Sequence, residues 1–153
     1  MMKKYFFIAI SCVFYGCSNH SNNQNKGIEY YFESGNIQYD LNNFSKAIDF
    51  YSLAYIQDSS NTILEYRIGF CYGKLDKYKE SILYFNKSIM HKYRIGDSYY
   101  NIGICYVCLF NDSIALQFFE KALVELPKEQ YIISEINDCK LRLQLKSKSN
   151  VSI

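Results

Sequence analysis

Apolar and small residues recur along this chain at two intervals. Between Phe44 and Gln57 they fall at Phe44, Ala47, Ile48, Tyr51 and Tyr55. Steps of three and four put them on one face of a helix. The longer interval is 34 residues, and it separates Gly35, Gly69 and Gly103. Small residues follow at Ala47, Ser81 and Ala115, and again at Ala54, Ser88 and Ala122. Aromatic residues keep the same interval at Tyr51, Phe85 and Phe119. Leu41, Leu75 and Leu109 form a further column, and Ile48, Ile82 and Leu116 another. Columns of matched chemistry mark an internal repeat. Each unit reads as two helices joined by a turn, at Asn42-Asn43, Asp76-Lys77 and Asn111-Asp112. Asn and Asp favour such turns because their side chains bond the local backbone. An interior Gly weakens a helix by about 1 kcal/mol relative to Ala, so its recurrence needs a packing reason. Close approach of the paired helix is that reason.

These columns resemble the tetratricopeptide repeat (TPR) over Ile28 to Glu129, in units 28–61, 62–95 and 96–129. The resemblance implies an all-α protein: a right-handed α-solenoid of three TPR helix pairs plus a C-terminal capping helix. The cap is expected over residues 130–146, with Ile132, Ile133, Ile136, Leu141 and Leu143 on its apolar side, and residues 147–153 as a disordered tail. Such a cap gives a solenoid the polar outer face it needs at its end. Several residues depart from the family pattern. Its early Trp is Tyr31 and Tyr99 here, and Glu65 in the second unit. Ser81 and Ser88 replace the usual Ala, and Tyr93 stands where Pro often ends the unit. Asp112 stands where Phe44 and Tyr78 do, so its turn is expected to cap the following helix. The second unit and its exit, Met90 to Asp97, are expected to be the loosest part.

The N-terminus follows a different logic. Lys3 and Lys4 precede an uncharged apolar run, Tyr5 to Tyr15. As a helix that run would span roughly 16 Å, about half of a ~30 Å hydrocarbon core. A basic start with a short apolar core reads as a secretory signal over residues 1–16. Gly16-Cys17 closes it, and this pair resembles a bacterial lipoprotein signal, which implies lipidation at Cys17. Phe14 stands where that family usually carries Leu. An ordinary cleaved signal or an uncleaved anchor are the alternatives. Residues 17–27 then form a lipidated Cys and a flexible tether, because Ser18 to Lys26 holds no apolar residue.

Charge and composition narrow the function. Lys plus Arg number 17 against 15 Asp plus Glu. With Lys3 and Lys4 removed the two balance, which argues against a nucleic-acid partner. Apolar residues at 49% exclude disorder over most of the chain. Cys71, Cys105 and Cys139 share one repeat column and read as small core fillers, since successive equivalent helices stand too far apart for disulfides. Cys105-Tyr106-Val107-Cys108 matches C-x-x-C but falls late in a helix, where the dipole raises a thiol pKa. Neither His20 nor His91 has a second ligand spaced for metal. No phosphate-binding loop and no catalytic constellation is found. The expectation is a protein that is not an enzyme, with no metal and no cofactor.

The family resemblance implies that first helices line a concave partner-binding groove. Carried over, that groove presents Phe32, Asn36, Tyr39 and Asp40, then Tyr66, Arg67, Phe70 and Lys74, then Tyr100, Asn101, Ile104 and Cys108. The alternative is that several of these aromatics pack within their own repeat. Chaperone-type members hold a C-terminal carboxylate with Lys, Arg and Asn. Only Asn36 survives here, with Phe32, Arg67, Asp97 and Asn101 at the other positions, so that clamp is not expected. The resulting expectation is a protein–protein interaction module, a membrane-anchored TPR lipoprotein scaffolding a protein or peptide partner in the bacterial cell envelope. Outer-membrane assembly, secretion and pilus biogenesis are roles of family members with this layout. The alternative is an accessory subunit binding a small ligand or glycan in its aromatic groove.

Overall fold

The computed structural model describes residues 26–151. Among these residues all regular structure is helical. The helices are α1 (Ile28–Asp40), α2 (Phe44–Gln57), α3 (Thr62–Lys74), α4 (Tyr78–Met90), α5 (Ile95–Cys108), α6 (Asp112–Glu125) and α7 (Gln130–Val151). Each helix packs on the next in sequence, and α3 also touches α5. This is an all-α helical-repeat solenoid. The signal and lipidation expected at residues 1–17, and nearly all of the tether, lie outside the described residues.

Left-handed residues make the repeated turns. Asn42, Asp76 and Phe110 adopt φ of 57°, 59° and 58°. Each follows the Leu of its column, and the next amide bonds back across the helix end: Asn43 N–H to Gln38 C=O (2.8 Å), Lys77 to Tyr72 (3.0 Å) and Asn111 to Tyr106 (2.9 Å). That pattern is a Schellman closure, which satisfies carbonyls left open at a helix end.

The exit from α4 is more firmly tied than its sequence suggests. Lys92 adopts φ 59° and the Tyr93 amide bonds Ser88 C=O at 2.8 Å. The Ser88 hydroxyl returns a bond to Tyr93 C=O at 2.7 Å. Ser88, read as a weakness in a small-residue column, is the residue that fastens the turn. Ser81 acts similarly inside the stack, donating to Gly69 C=O at 2.9 Å.

The core follows the columns. Ala47, Tyr51 and Ala54 from α2 join Leu64, Ile68 and Cys71 from α3 in one cluster. Ala115, Phe119 and Ala122 from α6 join Ile132, Ile136 and Cys139 from α7 in a second. The column cysteines Cys71, Cys105 and Cys139 are buried free thiols, while Cys108 is exposed.

The turn before α6 does cap that helix, through Asn111, whose side chain accepts from the Ile114 amide at 3.2 Å. Asp112 is buried instead, receiving Arg142 Nε at 2.6 Å and Lys146 Nζ at 2.7 Å. The segment 147–153 is not wholly a disordered tail, because α7 continues through Val151. No Gly or Pro follows Pro127 to stop it. Ser147 and Ser149 bond the carbonyls of Gln144 and Lys146, each at 2.8 Å, which keeps the hydroxyls within the helix.

Candidate functional site

The first helices α1, α3 and α5 bring part of the expected groove together. The rings of Tyr39 and Phe70 meet across α1 and α3 at 5.7 Å. The Arg67 guanidinium lies over Tyr39, 5.4 Å from its centroid. Asn101 on α5 donates to the Tyr66 hydroxyl on α3 at 3.3 Å. These contacts surround a cavity of about 290 Å³ lined by Tyr39, Tyr66, Arg67, Phe70, Tyr93 and Arg94. Phe70 also walls a second cavity of about 210 Å³, with Lys74, Tyr78, Asn101, Ile104 and Cys108 among its lining. Eight of the expected groove residues thus line two adjoining cavities: Tyr39, Tyr66, Arg67, Phe70, Lys74, Asn101, Ile104 and Cys108.

Three expected residues are turned to structural work. Phe32 packs 6.1 Å from the Tyr51 ring, and Asn36 accepts the Tyr51 hydroxyl at 2.8 Å. Tyr100 lies against Phe119 at 5.7 Å and edge-on to Tyr131 of α7 at 4.8 Å. The within-repeat alternative therefore describes these three. Conversely, sequence reasoning missed Tyr93 and Arg94, which reach the first cavity from the turn after α4. The signal was present: Tyr93 stands where a repeat of this type often carries Pro.

The first cavity is cationic and aromatic. Two arginines and no carboxylate line it. Arg94 stacks 4.8 Å over Tyr66 and pairs with Asp97 Oδ2 at 3.0 Å beside the cavity. The hydrogen bond that Arg94 donates to Asp97 raises the Arg94 pKa further, so its charge is permanent. Burial raises the pKa of Tyr39 and of Tyr66. Both phenols therefore stay protonated near neutrality and can donate hydrogen bonds. Planar guanidinium groups between aromatic faces suit carboxylates, backbone carbonyls and apolar side chains together. Among the described residues no group of three or more His, Cys, Asp or Glu gathers as a metal site.

The fold and the repeat have counterparts among known proteins. The tetratricopeptide repeat family model matches residues 66–90. No curated protein matches the chain. Among solved structures, MamA superposes with a TM-score of 0.74 at 17% identity, covering 82% of this chain and 74% of that one. The first TPR of Spaghetti (RPAP3), bound to the HSP90 peptide SRMEEVD, gives 0.70 at 20% identity, covering 78% and 94%. YrrB, a TPR protein with an unusual peptide-binding site, gives 0.67 at 22% identity, covering 83% and 66%. The described chain has the helical-repeat solenoid fold that these structures share.

Proposed function

We propose that this protein is an interaction module that holds a peptide segment of a protein partner along the face of α1, α3 and α5. One observation carries the reading: the two adjoining cavities that share Phe70, one of them lined by Arg67 and Arg94. The packed interior does not need two arginines on one aromatic surface, whereas partner recognition uses such side chains heavily. The cavities are small and open beside one another, which suits successive side chains of a peptide better than one compact ligand. That similar folds include a peptide complex and a protein described by its peptide-binding site supports the same reading.

The cellular setting in this proposal is the bacterial envelope. Residues 1–16 act as an export signal, Cys17 is lipidated, and residues 17–27 tether the solenoid to a membrane. The basic start, the short apolar run and Gly16-Cys17 support this part. Acyl labelling of wild type against Cys17→Ala tests it, and equal label in both would end the claim. The groove is tested separately, by recovering partners from membranes with wild type and with an Arg67→Glu, Phe70→Ala variant. The variant should lose the partner while keeping its helical circular dichroism. Undiminished recovery would put the binding surface elsewhere.

A further inference from the structure

The charge of the chain is unevenly distributed. Residues 5–138 carry eleven Lys and Arg against fifteen Asp and Glu, while Lys140, Arg142, Lys146 and Lys148 follow with no Asp or Glu between or after them in the sequence. The second half of α7 is therefore basic. Cations near a helix C-terminus interact favourably with its dipole, which accounts for part of this run. It does not account for the apolar residues among them. Leu141 is 54% exposed and Leu145, one turn later, is 58% exposed. Lys148 continues their stripe at helical spacing. α7 has 22 residues where the other helices have 13 or 14, so its basic end extends about 10 Å or more past the length of its neighbours.

The turn between α5 and α6 adds to this edge. Val107 and Phe110 meet Arg142, Leu145 and Lys146 around an open, largely apolar hollow. Phe110 is 87% exposed. It also occupies the left-handed turn position that Asn42 and Asp76 fill in the other two units. Asn and Asp tolerate that backbone, whereas a bulky ring there is an outlier. Packing gives the ring no compensation, because it points into solvent.

We propose that this edge docks on an anionic lipid bilayer, with Phe110, Leu141 and Leu145 entering the interface and Lys140 and Lys148 meeting the headgroups. Charge complementarity selects the occupant. Arg142 and Lys146 share the one carboxylate of Asp112, so that trio keeps a net positive charge beside the hollow. Interfacial helices combine Lys and Arg with protruding Leu and aromatic residues in this way. A nucleic acid would use the cations and leave the leucines without a role. Among the described residues no helix is long and apolar enough to cross a membrane, so the contact is with the surface. The proposal depends on neither the peptide groove nor acylation at Cys17.

The chain contains no Trp, so an introduced one reports its own position. Three full-length variants serve: Phe110→Trp, Leu145→Trp, and Val124→Trp as an exposed reference at the end of α6. Each is mixed with vesicles of phosphatidylcholine alone or of phosphatidylcholine with phosphatidylglycerol, carrying brominated acyl chains. The first two should show blue-shifted, quenched emission on the anionic vesicles only, and the reference should show neither. Adding Lys140→Glu and Lys148→Glu to Phe110→Trp should abolish its quenching with the helical circular dichroism unchanged. The proposal is overturned if Phe110→Trp emission on the anionic vesicles stays that of an indole in water. Equal quenching on neutral vesicles, or equal quenching of the Val124→Trp reference, overturns it as well.

Discussion

The ring of Tyr51 sits against Gly35, so close that a Cβ at position 35 would stand 2.5 Å from its Cδ1 and Cε1. The ring cannot swing aside cheaply, because its hydroxyl is fastened to Asn36 Oδ1. Phe119 meets Gly103 the same way, again at 2.5 Å. Around Gly69 the contacts are looser, with Tyr84 Cβ at 3.2 Å and Phe85 Cδ1 at 3.3 Å. Gly35→Ala should therefore destabilise the fold. Overpacking costs about 1–3 kcal/mol, and the gain in helix propensity returns only about 1 kcal/mol. Gly69→Ala should come out close to neutral. Urea midpoints for the two variants decide the matter, and equal midpoints would sink the distinction.

This contact was half legible in the sequence. A column of Gly and a column of aromatics sixteen residues later were visible, and close helix approach was the right physical class of reason. That the aromatic itself occupies the missing Cβ was not visible, because spacing fixes which face a residue shares and not how its ring tilts. The groove shows the same boundary. Tyr39, Tyr66, Arg67 and Phe70 could be placed on one face by periodicity, but Phe32, Asn36 and Tyr100 share that periodicity and pack inward. Arg94 was missed because it enters from a turn, where helical periodicity carries no information. Asp112 and Arg142 are 30 residues apart, and nothing in the chain between them announces the pair.

A second pairing hidden from the sequence is Glu65 with His91. Glu65 is fully buried, and its carboxylate accepts the Tyr55 hydroxyl at 3.0 Å and meets His91 Nδ1 at 2.7 Å. Three helices are joined there, since Tyr55 ends α2, Glu65 begins α3 and His91 closes α4. Removing one partner strands a buried polar group, whereas removing both with apolar shape retained is nearly neutral. His91→Ala should thus cost about 1–3 kcal/mol. The double variant Glu65→Leu, His91→Leu should cost less than Glu65→Leu and His91→Leu added together. A double-mutant cycle by chemical denaturation measures the coupling, and strict additivity would refute it.

Asp112 sets a pH dependence with a definite sign. Burial alone would raise its pKa, but hydrogen bonds and charge from Lys146 and Arg142 outweigh that and hold the carboxyl below its ordinary value. A depressed folded pKa contributes stability above the unfolded value, near ~3.9, and that contribution is lost as pH falls through the lower folded value. Both cationic partners are partly exposed, which screens the pair. Asp112→Asn should therefore cost about 1–2 kcal/mol at neutral pH. The gap to wild type should close in strong acid. Denaturant midpoints at neutral and acid pH test this, and a gap that does not change with pH would contradict it. Hydrogen exchange should also quicken in α7 at neutral pH, because the pair fastens that helix to α6.

Thiol chemistry separates the interaction reading from a redox one. Burial pushes the Cys71 thiol up to about 12 and raises Cys105 and Cys139 as well. Protonated, shielded thiols react slowly, since the thiolate is the nucleophile. Cys108 is exposed at the end of α5 and stands apart from them. In the folded protein an alkylating reagent should modify Cys108 well before Cys71, Cys105 or Cys139, with the sites mapped by mass spectrometry. Unfolding in denaturant should bring all four to similar rates. A working C-x-x-C pair would behave otherwise: Cys105 and Cys108 would react together and be protected together after mild oxidation. Joint protection of that pair would restore the redox role that the buried Cys105, bonded to Ser81 Oγ at 3.4 Å, now argues against.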